Sequence, residues 1–168
     1  KSKLKSFNVT KLFRDKYKMK TYNAIIFNSE SYERNRDFLI PKICIAAINA
    51  FKSSKRTEFG NLSIAREWNW CLDQCQLILK FIKKKPQDFI LSNGKSFTAK
   101  QMLEFAFKYF NLNYKNFVNE NKVFYRKKEV MHKKSDFKAC LRRNKIKRNN
   151  RIFGKKLIIK MIKFYLNE

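Results

Sequence analysis

The chain alternates helical segments with short apolar segments, and this alternation constrains its fold more than any other feature. Residues 21–27 form an almost continuous apolar run, TYNAIIF, as in strands that are buried on both faces of a sheet. Residues 57–59 and 88–91 are the other candidate strands. The pattern predicts an α/β architecture. Two or three strands cannot cover both faces of their neighbours, so we expect the chain to form part of a larger sheet.

Apolar side chains at helical spacing predict helices over residues 2–19, 38–51, 70–84, 136–143 and a last segment with Leu157, Ile158, Met161, Ile162 and Tyr165. Thr98 and Gln101 form a capping box that begins another helix. Asp37, Asn69 and Ser135 are the expected N-caps of three of the others. We expect loops over residues 28–37, most of 111–134 and the charged run 142–151.

The composition is that of a folded domain, with 44% hydrophobic and 15% aromatic residues in a chain of 168. No apolar run approaches the roughly 18 residues of a membrane span, and no secretory signal is recognisable. The first residue is not Met, so we expect the chain to be processed, truncated or incompletely represented. Four cysteines with a single histidine favour reduced thiols over a metal site, and therefore a reducing compartment such as the cytoplasm.

The formal net charge is +27, and residues 122–160 carry sixteen Lys and Arg against two acidic residues. Such a charge attracts nucleic acid, anionic lipid or phosphorylated ligands. The alternative interpretation is compositional, because the chain is rich in Lys, Asn, Ile and Phe, the residues that AT-rich genomes over-use. The charge would then belong to a solvated face with no ligand.

Two motifs stand in a characteristic order along the chain. An apolar run ends in Asn28-Ser29-Glu30-Ser31 and is followed by a basic helix, and Gly60-Asn61-Leu62 then leads into Arg66-Glu67-Trp68. This order resembles the second half of the enzymes of the GDP-mannose 4,6-dehydratase family. These enzymes are extended short-chain dehydrogenases that remodel a nucleotide sugar. The resemblance covers nearly the whole chain and is strongest over residues 22–31 and 60–73. It implies the C-terminal part of that fold, with an incomplete Rossmann sheet and a small helical substrate-binding region.

The resemblance implies catalytic and cofactor roles for two residues. Lys3 falls on the lysine of the family's Tyr-x-x-x-Lys pair, which holds the nicotinamide ribose of NADP and lowers the pKa of the tyrosine. That tyrosine would precede Lys1. Arg34 matches one of two loop arginines that contact the cofactor across a subunit contact, whereas Glu33 stands where the other is usual. A family-like homo-oligomer is therefore in doubt, and Lys3 is equally interpretable as an ordinary surface lysine.

The resemblance also implies a set of substrate-binding residues. Lys42 and Arg126 correspond to cations on the phosphates of GDP, and Arg66 to an arginine on the nucleotide. Glu129 corresponds to the ligand of the ribose hydroxyls, and Asn28 to a residue on the substrate side of the cleft. Charge-assisted hydrogen bonds to a diphosphate are about twice as strong as neutral ones. Taken singly, each of these charges is as well explained as a surface charge, and Asn28 as a residue of a turn. Their order along the chain favours a nucleotide site.

The three glycines, Gly60, Gly94 and Gly154, are isolated, so the glycine-rich turn that cradles a dinucleotide pyrophosphate is missing. We therefore interpret the chain as the C-terminal portion of a GDP-mannose 4,6-dehydratase-like enzyme. As an isolated chain it is expected at most to bind GDP-mannose, without turnover. Conversion of GDP-mannose would need the N-terminal half, either in a complete protein or as a separate piece. Residues 1–30 and 66–92 would belong to the cofactor-domain core, and residues 31–65 and 93–168 to the substrate part.

Two other interpretations remain open. A degenerate chain of charge +27 could serve as a nucleic-acid-associated or assembly subunit, whose binding would weaken steeply with salt. The chain could also be an inactive gene fragment that aggregates through exposed strand edges. Competition by GDP-mannose distinguishes a pocket from a polyanion-binding surface.

Overall fold

The computed structural model describes residues 1–147 and 152–168. The first half contains α1 (Ser2–Tyr17), β1 (Asn23–Ile26), β2 (Ser29–Glu30), α2 (Leu39–Ser53), β3 (Thr57–Phe59), β4 (Ala65–Arg66), β5 (Asn69–Trp70) and α3 (Cys71–Phe81). The second half contains β6 (Asp88–Leu91), β7 (Phe97–Thr98), α4 (Ala99–Lys108), β8 (Val118–Glu120), α5 (Phe137–Arg143) and α6 (Lys155–Leu166). Short 3-10 turns stand at Tyr114–Asn116 and Lys122–Phe124.

The strands of the described residues join in four separate pairs. Strands β1 and β6, β2 and β5, and β3 and β8 are parallel, whereas β4 and β7 are antiparallel. No pair extends into a third strand within residues 1–147 and 152–168. The α/β class and the incomplete sheet predicted from the sequence are therefore confirmed.

Helices α2, α4 and α6 pack together to form the larger hydrophobic core, with β3, β8 and the tryptophans Trp68 and Trp70 around them. The capping box is confirmed, since the Thr98 hydroxyl accepts from the Gln101 amide and the Gln101 side chain accepts from the Thr98 amide. All five apolar residues predicted for the last helix are buried. This core supports the loops that follow β2 and β3.

A smaller core lies between α3, β6 and α5. The rings of Phe81 and Phe89 stack with centroids 4.3 Å apart. On the side of β6 that faces α5, the Ile90 amide donates to the Cys140 sulfur at 3.4 Å. Strand β6 is thus paired with β1 on one edge and covered by α5 on the other. The charged run predicted as a loop begins inside α5, and its residues 148–151 lie outside the described residues.

The prediction that the first strand is buried on both faces is wrong for this chain. Within the part of the chain that the structure describes, strand β1 has one neighbour, β6, and its Ile25 and Ile26 are 44% and 57% exposed. The amides of Asn23 and Phe27 donate to β6 and its flanking residue, so the intervening Ala24 and Ile26 direct their peptide groups away from β6. The apolar sequence fits a strand with sheet on both sides, and only one side is present here.

Three predicted N-caps are also wrong. Phe38 rather than Asp37 precedes α2, Trp70 precedes α3, and Asp136 precedes α5, and none of them makes a side-chain capping hydrogen bond. The helix predicted over 70–84 ends at Phe81, and the predicted loop 28–37 contains β2. Asn69 and Ser135 are instead engaged in longer-range hydrogen bonds that local sequence does not reveal.

Candidate functional site

A cleft of about 480 Å³ opens between the loops after β2 and β3 and the segment that follows β8. Six of the seven site residues predicted from the sequence line it: Asn28, Arg34, Lys42, Arg66, Arg126 and Glu129. Its volume lies within the usual range of about 300–1,000 Å³ for small-molecule sites. Residues that are separated by up to 101 positions in the sequence are thus brought together, as the resemblance implied.

Arg34 is held on the wall of the cleft by its own loop. Its Nε atom lies 3.2 Å from Oε2 of Glu30, a terminal nitrogen donates to the Ser29 carbonyl, and the guanidinium stands 4.1 Å from the ring centre of Phe38. The Glu30 side chain is almost completely buried at 2% exposure. Burial raises the pKa of Glu30 to about 8, although the charge of Arg34 acts in the opposite direction.

Lys42 lies on the first turns of α2 and is half-buried. Its ammonium nitrogen stands 4.9 Å from the ring centre of Phe59 and 5.6 Å from that of Phe124. Within the described residues it has no carboxylate partner at ion-pair distance. Cation–π contacts of this kind orient the ammonium without neutralising it. Lys42 therefore keeps a positive charge that is available to an anion in the cleft.

Arg66 and Glu129 contact each other on one wall of the cleft. The Arg66 guanidinium lies 3.4 Å from the Glu129 carboxylate and also donates to the carbonyls of Ala65 and Met131 at 2.8 and 3.1 Å. Both side chains are largely buried, with exposures of 14% and 16%. Arg126 is exposed, just before a turn in which Lys128 adopts a positive φ of 61°. It is the most accessible of the predicted cations that line the cleft.

The segment from Gly60 to Trp68, which contains the second sequence motif, forms the floor of the cleft. Gly60 stands where a Cβ atom would lie 3.0 Å from the carbonyl oxygen of Phe124, so its lack of a side chain permits the close approach. Glu67 is fully buried, and its carboxylate accepts from the amide of Gly94 at 2.8 Å and the amide of Ser135 at 2.6 Å. Trp68 lines the cleft and is buried, as expected of a wall residue. This network fixes the segment that carries Arg66.

Asn28 lies where β1 ends, and its carbonyl accepts from both the backbone and the side chain of Asn69 at 2.9 Å. These bonds hold the turn that presents Asn28 to the cleft. Lys3 does not join the other predicted residues. It is exposed on α1 and does not line the cleft. The structure therefore groups the predicted substrate residues with Arg34 and leaves the predicted catalytic lysine apart.

Sequence reasoning missed Glu30 and the aromatic residues Phe38, Phe59 and Phe124, which all line the cleft. A signal for Glu30 was present, because it stands four residues before Arg34 and two after Asn28. The aromatic positions carry no such signal, since apolar residues are equally compatible with a core.

Two kinds of site are not found in residues 1–147 and 152–168. No group of three or more His, Cys, Asp or Glu side chains there could hold a metal ion. No helix in the same ranges is sufficiently long and apolar to cross a membrane.

Solved structures with the same fold identify the class of protein. RMD from Pseudomonas aeruginosa, complexed with NADPH, aligns with 99% of this chain and 55% of its own, with a TM-score of 0.81 and 11% identity. DesIV, a dTDP-glucose 4,6-dehydratase from Streptomyces venezuelae with NAD and TYD bound, aligns with 96% of this chain and 48% of its own, with a TM-score of 0.74 and 12% identity. The fold is that of the extended short-chain dehydrogenases, of which this chain contains about half.

Within this class, the chain belongs to the GDP-mannose 4,6 dehydratase family, whose sequence profile matches residues 1–154. GDP-mannose 4,6 dehydratase 1 from Arabidopsis thaliana is 32% identical over 127 residues, which are 74% of this chain and 35% of that protein. GDP-mannose 4,6 dehydratase 2 from Caenorhabditis elegans is 32% identical over 98 residues, 56% of this chain and 25% of that protein. The chain thus spans about a third of the length of the curated relatives it matches.

Proposed function

We propose that this chain forms the nucleotide-sugar-binding part of a GDP-mannose 4,6-dehydratase and that its cleft binds the GDP moiety of GDP-mannose. The observation that carries the proposal is the convergence of six residues, chosen from the sequence alone, on one cleft of about 480 Å³. Scattered surface charges would have no reason to share a cavity. The convergence therefore favours a ligand site over the surface-charge interpretation.

The charges of the cleft suit a diphosphate. Lys42 is not neutralised by any carboxylate of the described residues, and Arg126 is exposed and accessible. Two phosphates that bridge these cations would make charge-assisted hydrogen bonds. Arg66 would contribute a third cation, which it would share between the ligand and Glu129.

The remaining polar residues suit the two sugars of the ligand. A carboxylate such as Glu129 accepts hydrogen bonds from vicinal hydroxyls, and we assign it to the ribose. Asn28 has a side-chain amide that both donates and accepts, and we assign it to the mannose side of the cleft. The exposed rings of Phe38 and Phe124 supply apolar surface at the rim.

The residues of this chain do not fit NADP by themselves. No glycine-rich turn occurs, and Lys3 is exposed on α1 and does not line the cleft. A complete dehydratase would convert GDP-mannose to the 4-keto-6-deoxy sugar with the redox chemistry supplied by NADP. We assign ligand binding to this chain, without turnover by the chain in isolation, and the cofactor site to the N-terminal half of a complete dehydratase.

Strand β1 is the place where we expect that half to join. Its outward peptide groups and exposed isoleucines offer an open parallel edge next to β6. We accordingly assign residues 1–30 and 66–92 to the cofactor-domain core, and residues 31–65 and 93–168 to the substrate part, although α5 packs against β6. Four free thiols favour a reducing compartment such as the cytoplasm.

Calorimetry of the chain with GDP-mannose tests the binding proposal. We expect saturable binding that GDP displaces and that Lys42→Gln and Arg126→Gln each weaken by about tenfold, which corresponds to about 1.4 kcal/mol. Lys100→Gln is the matched control, because Lys100 is exposed on α4 and does not line the cleft. Absence of GDP-mannose binding, or equal losses in the control, would contradict the proposal.

Activity is a separate test. The chain incubated with NADP and GDP-mannose is expected to form no 4-keto-6-deoxy product. Addition of the N-terminal half of a relative is expected to restore product. Product from the chain alone would show that the assignment of binding without turnover is wrong.

The net charge of +27 favours a second candidate, a nucleic-acid-binding or assembly subunit. Binding of duplex DNA to such a surface would fall with salt, with a log–log slope of about −0.9 for each neutralised phosphate. GDP-mannose would not compete. Competition by GDP-mannose together with a weak dependence on salt supports the cleft, and the reverse pattern supports the polyanion surface.

A further inference from the structure

Glu30 and Arg34 form an ion pair that leaves part of each side chain unused. Their Oε2 and Nε atoms are 3.2 Å apart, yet neither atom has a hydrogen-bond partner among the described residues, so the contact lacks hydrogen-bond geometry. Both residues line the cleft. A buried carboxylate with a free acceptor is costly, and a proton or a better donor would relieve the cost.

Other contacts hold Arg34 where it forms an ion pair with Glu30 but no hydrogen bond to it. Its guanidinium is already fixed by the Ser29 carbonyl and by the ring of Phe38. It can therefore stay in place while its charge is either used by Glu30 or presented to a ligand. Since it shares the cleft with Lys42, an anion bound there would come under the influence of both cations.

We propose that Glu30 is a positioning residue that decides whether the charge of Arg34 is available to an anionic ligand in the cleft. The ionised carboxylate neutralises Arg34 and repels the anion, whereas the protonated acid leaves the Arg34 charge to the ligand. This inference rests on the proposed function, because the ligand it concerns is the diphosphate of GDP-mannose.

Glu30 titrates near neutral and mildly alkaline pH, whereas the titratable residues that face it do not. Cys44 of α2 and Tyr165 of α6 interact electrostatically with it. Burial raises the pKa of Cys44 far above its usual range and that of Tyr165 to about 12. Neither residue therefore ionises in the range where Glu30 does.

The other charged residues of the cleft are Asp37 and Glu129 against Lys42, Arg66 and Arg126. All five are present in the wild type and in a Glu30 variant alike, so a comparison of the two cancels their contribution. A change in anion affinity between pH 7 and pH 9 that depends on residue 30 would therefore report the proton of Glu30.

The test is the affinity of the chain for GDP-mannose between pH 7 and pH 9, measured for the wild type and for Glu30→Gln. The diphosphate of GDP-mannose is a diester, so its charge does not change in this range. We expect the wild type to lose affinity by about tenfold, as follows from a pKa of about 8 and binding to the protonated form. Glu30→Gln should keep its neutral-pH affinity throughout.

Glu33→Gln is the matched control, because Glu33 is an exposed glutamate of the same loop, and it should show the wild-type pH dependence. Equal pH dependence in the wild type and Glu30→Gln would overturn the inference while leaving the proposed function intact. Absence of GDP-mannose binding at every pH would instead overturn the proposed function.

A measurement on the wild type covers the case in which Glu30→Gln does not fold. The carboxyl carbon of Glu30 can be titrated by NMR with and without saturating GDP-mannose. Linkage requires that the ligand raise the apparent pKa of Glu30 if it binds the protonated form. An apparent pKa that the ligand leaves unchanged or lowers would refute the inference.

Discussion

The guanidinium of Arg66 lies 3.4 Å from the carboxylate of Glu129, so two residues assigned by sequence to one ligand contact each other. Glu129 accepts from the same guanidinium that also donates to the carbonyls of Ala65 and Met131. The pair ties strand β4 to the segment after β8 and closes one wall of the cleft. A diphosphate would have to share Arg66 with this existing partner.

Replacement of Arg66 is therefore expected to affect both folding and binding. Arg66→Gln leaves Glu129 largely buried without its charged donor, and we expect a loss of about 2 kcal/mol in the free energy of unfolding. Urea denaturation measures this loss. The control is Arg143→Gln on the exposed face of α5, which should change stability by less than about 0.5 kcal/mol. An unchanged midpoint in Arg66→Gln would show that the pair contributes nothing.

The elements with strong local signals were predictable from the sequence. The capping box at Thr98, the strand Asp88–Leu91 and the last helix depend on neighbours in the chain, and all are observed. Ser135 was misassigned because its hydroxyl and amide serve Glu67, which stands 68 positions away. Local sequence contains no trace of such a partner.

The cleft was predictable for a different reason. The resemblance supplied Asn28, Lys42 and Arg66 as a set, and folding brings them together. The sequence does not predict Glu30 as a site residue, because its environment depends on packing. It resembles any polar loop glutamate, and its burial arises only when β2 pairs with β5 in the folded chain. The exposure of β1 likewise depends on which strands are present rather than on its own apolar residues.

Glu67 is expected to be the polar residue on which the floor of the cleft depends. Its carboxylate accepts from the amide of Gly94, from the hydroxyl of Ser92 and from both the amide and the hydroxyl of Ser135. Glu67→Gln would replace one acceptor by an amide donor that opposes these donors. We expect a loss of about 3 kcal/mol in the free energy of unfolding.

Glu104→Gln provides the control for this measurement, since Glu104 is exposed on α4. Chemical denaturation of the two variants at the same pH and salt compares a buried network with a surface charge. Equal midpoints for Glu67→Gln and the wild type would contradict the role of Glu67.

The exposed edge of β1 predicts that salt promotes association of this chain. At low salt the net charge of +27 keeps copies apart, and screening at high salt leaves the exposed Ile25 and Ile26 free to associate. Ile26→Lys should reduce light scattering at high salt, because it adds a charge to the edge. Val123→Lys, at a residue that is 84% exposed elsewhere, should not. Equal reduction by both variants would trace the association to net charge alone.

Helix α1 is expected to be held in place by charge rather than by apolar packing, because none of its residues is buried. The Arg14 guanidinium lies 2.9 Å from the carboxylate of Asp88 at the start of β6. The side-chain amide of Asn23 donates to both the Phe7 carbonyl and the Asp88 carboxylate. Although burial acts in the opposite direction, the guanidinium of Arg14 and the hydrogen bond from the Asn23 side chain lower the pKa of Asp88. A lowered pKa in the folded state stabilises the docked helix above about pH 4, the ordinary value for Asp, and this stabilisation is lost as the pH falls through the folded value.

Arg14→Gln should therefore increase hydrogen exchange of the α1 amides by up to about fivefold, the range of an exposed or partly exposed ion pair, and leave α2 unchanged. Acidification below the lowered pKa of Asp88 should produce the same increase in the wild type, measured relative to the intrinsic exchange rate at each pH, and little further change in Arg14→Gln. Lys5→Gln, an exposed cation of the same helix, is the control and should behave as the wild type. If α1 exchanged equally fast in the wild type and Arg14→Gln at neutral pH, contacts other than the Arg14–Asp88 pair would determine its position.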